Sequence, residues 1–331
     1  TEISVVPALR ISATEPVSWP TLVNETVYLE SGTLVVDEPV ELGGLLVLRG
    51  ASVTHSAGGS KRLDLTVDGP LSIECGASID VSGRGYPAGA TYPGAGAGAN
   101  AAGSHLGVGG RQGGGTLAGT YGSVTRPQEA GSGGFGTNAQ PGGGVIRIEA
   151  GSVVLGGTNA AILANGSGDY TNVGAGGSVW VKTGTLAGDG RIEAVGADAY
   201  SSAGGGGAIG IEYGSTSGTV LSKTRTKGGG TQVGTARGGA GTIYVKGPGA
   251  TYGTLRVDNV GTSGQATVLP SLGSGVAQAE TSGATLVTQL TSIPAYFKGH
   301  WVEVRRGESL LGTWRIGEIA GGTVTLAPNE S

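Results

Sequence analysis

GGVIRIEAG at 143–151, GGSVWVKTG at 176–184, GGAIGIEYG at 206–214 and GAGTIYVKG at 239–247 are one phrase written four times. Each has a glycine pair or near-pair, then a run alternating apolar and polar residues, then a closing glycine. The apolar pairs are Ile146/Ile148, Val179/Val181, Ile209/Ile211 and Ile243/Val245, and their first members stand 33, 30 and 34 residues apart. One strand signal per repeat, at a near-constant period of roughly 20–50 residues, is the mark of a solenoid. Residues i and i+2 of a strand share a face, so the apolar pairs form inward columns. Arg147, Trp180, Gly210 and Tyr244 form one outward column, and Glu149, Lys182, Glu212 and Lys246 another. The second alternates in sign, as stacked neighbours should where like charges directly opposite destabilise. A second short strand signal follows each phrase, in AAILANG, RIEAVG, TVLSKT and TLRVDN. Polar glycine-rich bends such as SGDYTNVGAGG and ADAYSSAGGGG then lead to the next phrase. The expected fold is all-β: a parallel β-helix, or solenoid, with glycine-rich loops.

Outward from this stretch, four regions separate. Residues 1–26 are a lead-in or cap, with a strand signal at Glu2–Val6. Residues 27–270 are the helix of strands, opening with TVYLESGTLVV, LLVLRGASVT and LTVDGPLSI, where aligning Leu29, Leu48 and Val67 gives coils of 19 residues. Within it, 82–142 breaks the rhythm as a glycine-rich insertion, expected to pack on the side of the solenoid. Residues 284–331 hold three alternating runs with bends at RRGES and EIAGG, a small antiparallel β module. An uncovered sheet edge invites aggregation, so this module is expected to close the solenoid's open end.

Glycine supplies 70 of 331 residues, while 37% are apolar and concentrated in alternating runs, which argues for a folded chain over a disordered one. Glycine within regular structure costs about 0.5–1 kcal/mol relative to alanine, so the glycines mark places where a side chain would clash. The net charge of −4 comes from 20 basic and 24 acidic residues without a basic cluster, which points away from nucleic acid. No apolar run reaches the roughly 18 residues that a membrane span requires. Cys75 is the single cysteine and reads as a packed thiol. The start at Thr1 reads as a mature product or as part of a larger polypeptide.

DLTVDGPLSIECGASIDVSGRGYP, GSHLGVGG, TYGS, GSGGFG, GGGVIRIEA and GGSVWVKTGTLAGDGRIEAVG cover roughly 63–196. This order of phrases resembles the right-handed parallel β-helix of the pectin-lyase-like class. More narrowly, it is similar to glycine-rich modules of very large secreted bacterial surface proteins. The resemblance implies an extracellular or cell-surface stalk or adhesin module. It departs from the enzymes of the class, in which acidic residues with Lys or Arg lie in a groove on adjacent coils.

Three sets of residues are candidates for chemistry. Asp64, Asp68 and Asp80 could gather as a carboxylate cluster for calcium, which takes six to eight oxygens, or for hydrolysis of a polysaccharide. They also read as turn and solvent-facing positions. His105, Arg111, Tyr121, Arg126 and Glu129 lie together in the insertion and could form a binding site, or could hydrogen-bond its glycine backbone. Trp180 and Tyr244 flank Gly210 and could stack on a sugar ring, or pack under neighbouring loops. No phosphate loop, G-x-S-x-G elbow or zinc spacing occurs, and no organic cofactor is implied. The expected function is an extracellular structural or adhesive module whose loops bind a glycan or another surface protein. A β-helix lyase or hydrolase and a sugar-binding phage or secretion spike are the alternatives.

Overall fold

The computed structural model describes residues 8–12 and 22–327; the strand signal at Glu2–Val6 lies outside them. The chain is all-β, and its large sheet is mostly parallel. β6 (Leu63–Glu74), β10 (Val145–Gly156), β12 (Ser178–Gly188), β14 (Ala208–Gly218) and β16 (Thr242–Lys246) lie side by side. Ile146 faces Leu63 on one side and Val179 on the other, followed by Ile209 and Ile243. That is the register the repeat spacing predicts. A second parallel ladder contains β5 (Ala51–Thr54), β7 (Ser78–Asp80), β11 (Ala161–Leu163), β13 (Arg191–Glu193) and β15 (Thr224–Arg225). β2 (Thr26–Val35) joins the two ladders, its first half pairing β4 (Gly44–Val47) and its second half β5. β1 (Ala8–Ser12) pairs β2. Ile146, Val179 and Ile209 of the first ladder share one core with Ile79, Ile162 and Ile192 of the second. β-Branched side chains suit such columns because they pack well on a pleated surface.

Three local readings differ. Leu29 lies opposite Val47 rather than Leu48, and Val67 lies opposite Leu42, because the first half of β6 pairs an extra short strand, β3 (Val40–Leu42), and only its second half pairs β4. TVLSKT becomes a 3-10 turn at Leu221–Lys223 before the two-residue β15. TLRVDN supplies β17 (Thr254–Arg256), antiparallel to β16, because the Gly-Pro-Gly bend at 247–249 reverses the chain. β17 therefore covers the last strand of the first ladder.

The C-terminal sheet is antiparallel in the order β18 (Thr285–Val287), β21 (Thr323–Leu326), β20 (Ser309–Ala320), β19 (Trp301–Arg306). Its core of Ile293, Tyr296, Phe297, Ile316 and Val324 is completed by Tyr121 of the insertion, with Tyr86 and Tyr92 packed against it. It rests on the insertion, where these large rings find one another, and it also touches the end of the parallel ladder, the Trp301 ring lying 5.0 Å from that of Tyr252 in the bend before β17.

The insertion is ordered through its backbone. β8 (Ala99–Ala101) and β9 (Arg111–Thr116) form a small antiparallel pair. Much of the remainder threads as extended, non-strand chain among the glycine-rich bends of the repeats. Ala175 donates to Ser132 at 3.0 Å, Gly176 to Gly205 at 2.9 Å and Gly177 to Ala164 at 2.7 Å. Gly205, Gly206 and Gly207 donate to Gly103, Gly239 and Ala194 at 3.0, 2.9 and 2.8 Å. A strand sends successive N–H groups to two sides, but three donors aimed at three chains have the threefold period of polyproline II. A β-carbon on Gly176 would lie 2.3 Å from the Ala194 carbonyl oxygen, and one on Gly205 2.0 Å from that of Gly107. Only bare backbone fits in such a bundle. Gly205→Ala should therefore destabilise the fold by about 3 kcal/mol or more. Gly113→Ala, with nothing within 4 Å of the added carbon, should stay within about 0.5 kcal/mol in the same urea titration.

Candidate functional site

On the outward face of the first ladder, Asp64, Arg147, Trp180, Gly210 and Tyr244 follow one another in register. Arg147 donates to both Asp64 and Glu149. Its guanidinium carbon lies 5.0 Å from the centre of the Trp180 ring, and that of Arg126 lies 5.8 Å from it. Arg126 belongs to the insertion, which crosses here because residue 210 is a glycine. A β-carbon at Gly210 would lie 2.8 Å from the Thr125 carbonyl oxygen. In the charged column Lys182 reaches Glu149 at 3.8 Å, while Glu212 pairs with Arg126 at 3.6 Å. Trp180 and Tyr244 are 9% and 6% exposed, and Tyr244 Oη accepts from the Gly253 N–H at 3.0 Å. Of the two roles weighed for these rings, packing under neighbouring loops is the one their burial fits, because the insertion and the bend before β17 cover them.

His105, Tyr121 and Glu129 do meet, beneath the C-terminal sheet, and all three are buried. His105 Nδ1 lies 3.0 and 3.2 Å from the carbonyl oxygens of Gly176 and Gly177, so that nitrogen carries the proton. Tyr121 Oη donates to the Ala130 carbonyl at 2.7 Å, and the Glu129 carboxylate accepts from the Ser123 N–H at 3.0 Å. His300 Nε2 accepts from the Val124 N–H at 3.3 Å and lies 3.3 Å from Ser123 Oγ, which ties β19's leading loop to the insertion. Burial pushes His105 and His300 down to about 4, the latter helped by Arg315, and pushes the Glu129 carboxyl up. These side chains answer backbone groups of the glycine chains, the structural role weighed above for this set. Arg111 stands apart, donating to the Gly115 carbonyl at 2.6 Å within β9.

The three aspartates are not brought together. Asp64 sits between Arg147 and Arg62, the latter at 3.5 Å. Asp68 is exposed at the irregularity in register within β6, and Asp80 lies on the second ladder, accepting from the Ser82 N–H at 2.8 Å. Among the described residues no group of three or more His, Cys, Asp or Glu is placed to hold a metal ion. A carboxylate already shared by two guanidinium groups is also a poor calcium ligand. None of the described helices is long and apolar enough to cross a membrane.

An open groove of about 490 Å³ lies elsewhere, along the loop edge of the second ladder. Gly166 and Gly168 come from one pass of the chain, Glu193 and Asp198 from the next, Arg225 and Lys227 from the third, and Val260 from beyond β17. Its charges are largely answered from within. Lys227 reaches Asp198 at 3.4 Å, Arg191 reaches Glu193 at 3.4 Å, and Arg225 donates to the carbonyls of Ser222 and Thr224 at 2.6 and 2.9 Å. Two residues beyond Gly168 and Asp198 stand Tyr170 and Tyr200, stacked at 5.6 Å and 13° and exposed by 55% and 43%. The Tyr200 N–H donates to the Tyr170 carbonyl at 2.7 Å, and Gln112 of the insertion reaches Thr171 and Ser201 behind them. Sequence reasoning passed over this pair. The signal was available, since the two tyrosines are separated by the same 30 residues as Val179 and Ile209.

Searches against family models, characterised proteins and solved structures find no match for this chain.

The depressed histidines give a pH dependence. Between about 6.5 and 4 the unfolded chain binds more protons than the folded one at His105 and His300, so stability falls as pH falls through that window. His55, also depressed by burial, adds in the same direction, while Glu129, raised by burial, acts in the opposite one, one group against three. Urea midpoints should drop from pH 7 to pH 4, and His300→Gln should flatten the slope. A midpoint independent of pH would remove the buried neutral histidines from the account.

Proposed function

We propose that this chain is a structural and adhesive module of a larger secreted or cell-surface protein, a right-handed parallel β-helix in form, that binds glycans along its loop edge. The paired ladders with a common core support the β-helix reading, and the resemblance to glycine-rich surface modules supports the location. The observation that carries the binding reading is the Tyr170–Tyr200 stack beside a polar groove. Tyrosine joins an apolar ring to a hydroxyl, as a sugar joins a C–H face to a rim of hydroxyls. Leaving two such rings in water is costly unless something covers them. Glu193, Asp198, Arg225 and Lys227 supply donors and acceptors with little net charge, which favours a neutral sugar.

The β-helix lyase or hydrolase reading has one observation in its favour, the two carboxylates Asp64 and Glu149 within reach of Arg147. Both are engaged by the same guanidinium, and neither is left as a free base or proton donor. Release of reducing ends from a polysaccharide, abolished by Asp64→Asn, would support that alternative.

A glycan array is the direct test of the binding reading. The wild-type protein should retain at least one oligosaccharide class, and Tyr170→Ala with Tyr200→Ala should weaken that binding by about tenfold or more, at roughly 1.4 kcal/mol per factor of ten. The melting temperature should remain almost unchanged. Equal binding by the double variant would exclude the tyrosine shelf.

A further inference from the structure

Val260 breaks a local rule. Asn259, Val260, Gly261 and Thr262 form a turn closed by the Thr262 N–H donating to the Asn259 carbonyl at 2.9 Å. The φ angles of Val260 and Gly261 are 52° and 75°. Positive φ at both central positions defines a type I′ turn, which takes Asn, Asp or Gly. A β-branched residue in the left-handed region is a conformational outlier, and such strain gathers at binding sites and ligand clamps. The surroundings hold Val260 there. Asn259 Oδ1 accepts from the Gly228 N–H at 2.7 Å, its Nδ2 donates to the carbonyls of Gly238 and Thr262 at 3.0 and 2.9 Å, and the Val260 N–H donates to Asp258 at 2.7 Å. The strained side chain gains no burial in return. It is 51% exposed, and it lines the groove.

The groove also has a direction. The Gly166 N–H donates to the Val195 carbonyl at 2.9 Å, the Gly196 N–H to that of Lys227 at 3.0 Å, and Gly228 then bonds Asn259. Four neighbouring passes therefore build it, and at roughly 4.8 Å per step they span about 14 Å. We infer that Val260 is a ligand-contacting residue of this groove, its isopropyl group presented to the C–H face of a linear, neutral oligosaccharide that lies across the four passes. This rests on the glycan reading above and adds to it the length and course of the ligand and the residue at its far end. A monosaccharide would touch one or two passes and bind weakly.

The test compares Val260→Asn and Val260→Gly with Tyr170→Ala, using the oligosaccharide that ranks highest on the array and its constituent monosaccharide. Val260→Asn places a preferred residue in the turn and should raise the melting temperature by roughly a few degrees. Both Val260 variants should weaken oligosaccharide binding by about tenfold, the loss of one apolar contact. The monosaccharide should bind far more weakly than the oligosaccharide to wild type. If Tyr170→Ala loses binding while both Val260 variants keep it, the contact is overturned and the glycan reading stands. A lower melting temperature for Val260→Asn overturns the strain. Equal affinity for monosaccharide and oligosaccharide overturns the four-pass course. Absence of any glycan binding removes both readings together.

Discussion

The buried hydrogen bonds between glycine chains are the constraint on which the rest of this molecule depends. A backbone hydrogen bond contributes only about 0.5–1.5 kcal/mol net, but a buried group left unpaired costs about 1–3 kcal/mol. Chains such as 174–177 and 203–207 run through the interior with almost no side chains, so they offer little hydrophobic return for their burial. Their N–H and C=O groups must therefore find partners on every side, and the threefold turn of polyproline II provides that by facing three neighbours in turn. Each of those neighbours is another pass of the chain or a part of the insertion. Removing the insertion would strip partners from Ala175, from Gly239, whose N–H donates to the Val108 carbonyl, and from Gly205. What reads in the sequence as an interruption is one of the members of the bundle.

The same constraint explains the polar residues within the insertion. His105 spans the carbonyls of Gly176 and Gly177, Glu129 gathers the N–H of Ser123, and Tyr121 both donates to Ala130 and fills the core of the C-terminal sheet. A glycine bundle has carbonyls and amides at irregular spacing, and these longer side chains reach the ones that no neighbouring chain can. Their perturbed protonation follows from that burial. Perturbed titration in a cleft often marks chemistry, but here the groups face backbone rather than a cavity, and the groove lies at a different edge.

How much of this was legible follows from periodicity. The column Ile146, Val179, Ile209, Ile243 and the partners Glu149 and Lys182 could be aligned because strands impose a period of two and stacking repeats it at 33, 30 and 34 residues. The 19-residue coils were misaligned because β3 carries the same alternating signature as its neighbours. The path of 82–142 could not be traced, since a chain so rich in glycine and alanine has no hydrophobic period to read. That is also why the cover over Trp180 could not be traced. Its cover comes from Thr125 and Arg126, residues distant in sequence that lie above Gly210 only because their chain is held in the bundle. Tyr170 and Tyr200, by contrast, carried the repeat period openly, and were hidden only by standing in loops, where no fold signal was being sought.

The contrast between those loops and the bundle bears on where specificity can reside. Within the bundle a side chain cannot be added, so sequence there is restricted to what backbone contact permits. At the loop edge the passes end in short bends, and exposed rings such as Tyr170 and Tyr200 can change there without disturbing a backbone bundle. The tips are nevertheless fixed in place, since Gln112 ties two of them together and Asn259 ties a third to Gly228 and Gly238. A surface assembled this way is variable in chemistry and rigid in geometry, the pairing a recognition site requires when its own loops are short. Val260 is the place where the two demands collide. The backbone there asks for asparagine or glycine, the groove receives a branched apolar group instead, and the hydrogen bonds of Asn259 absorb the cost.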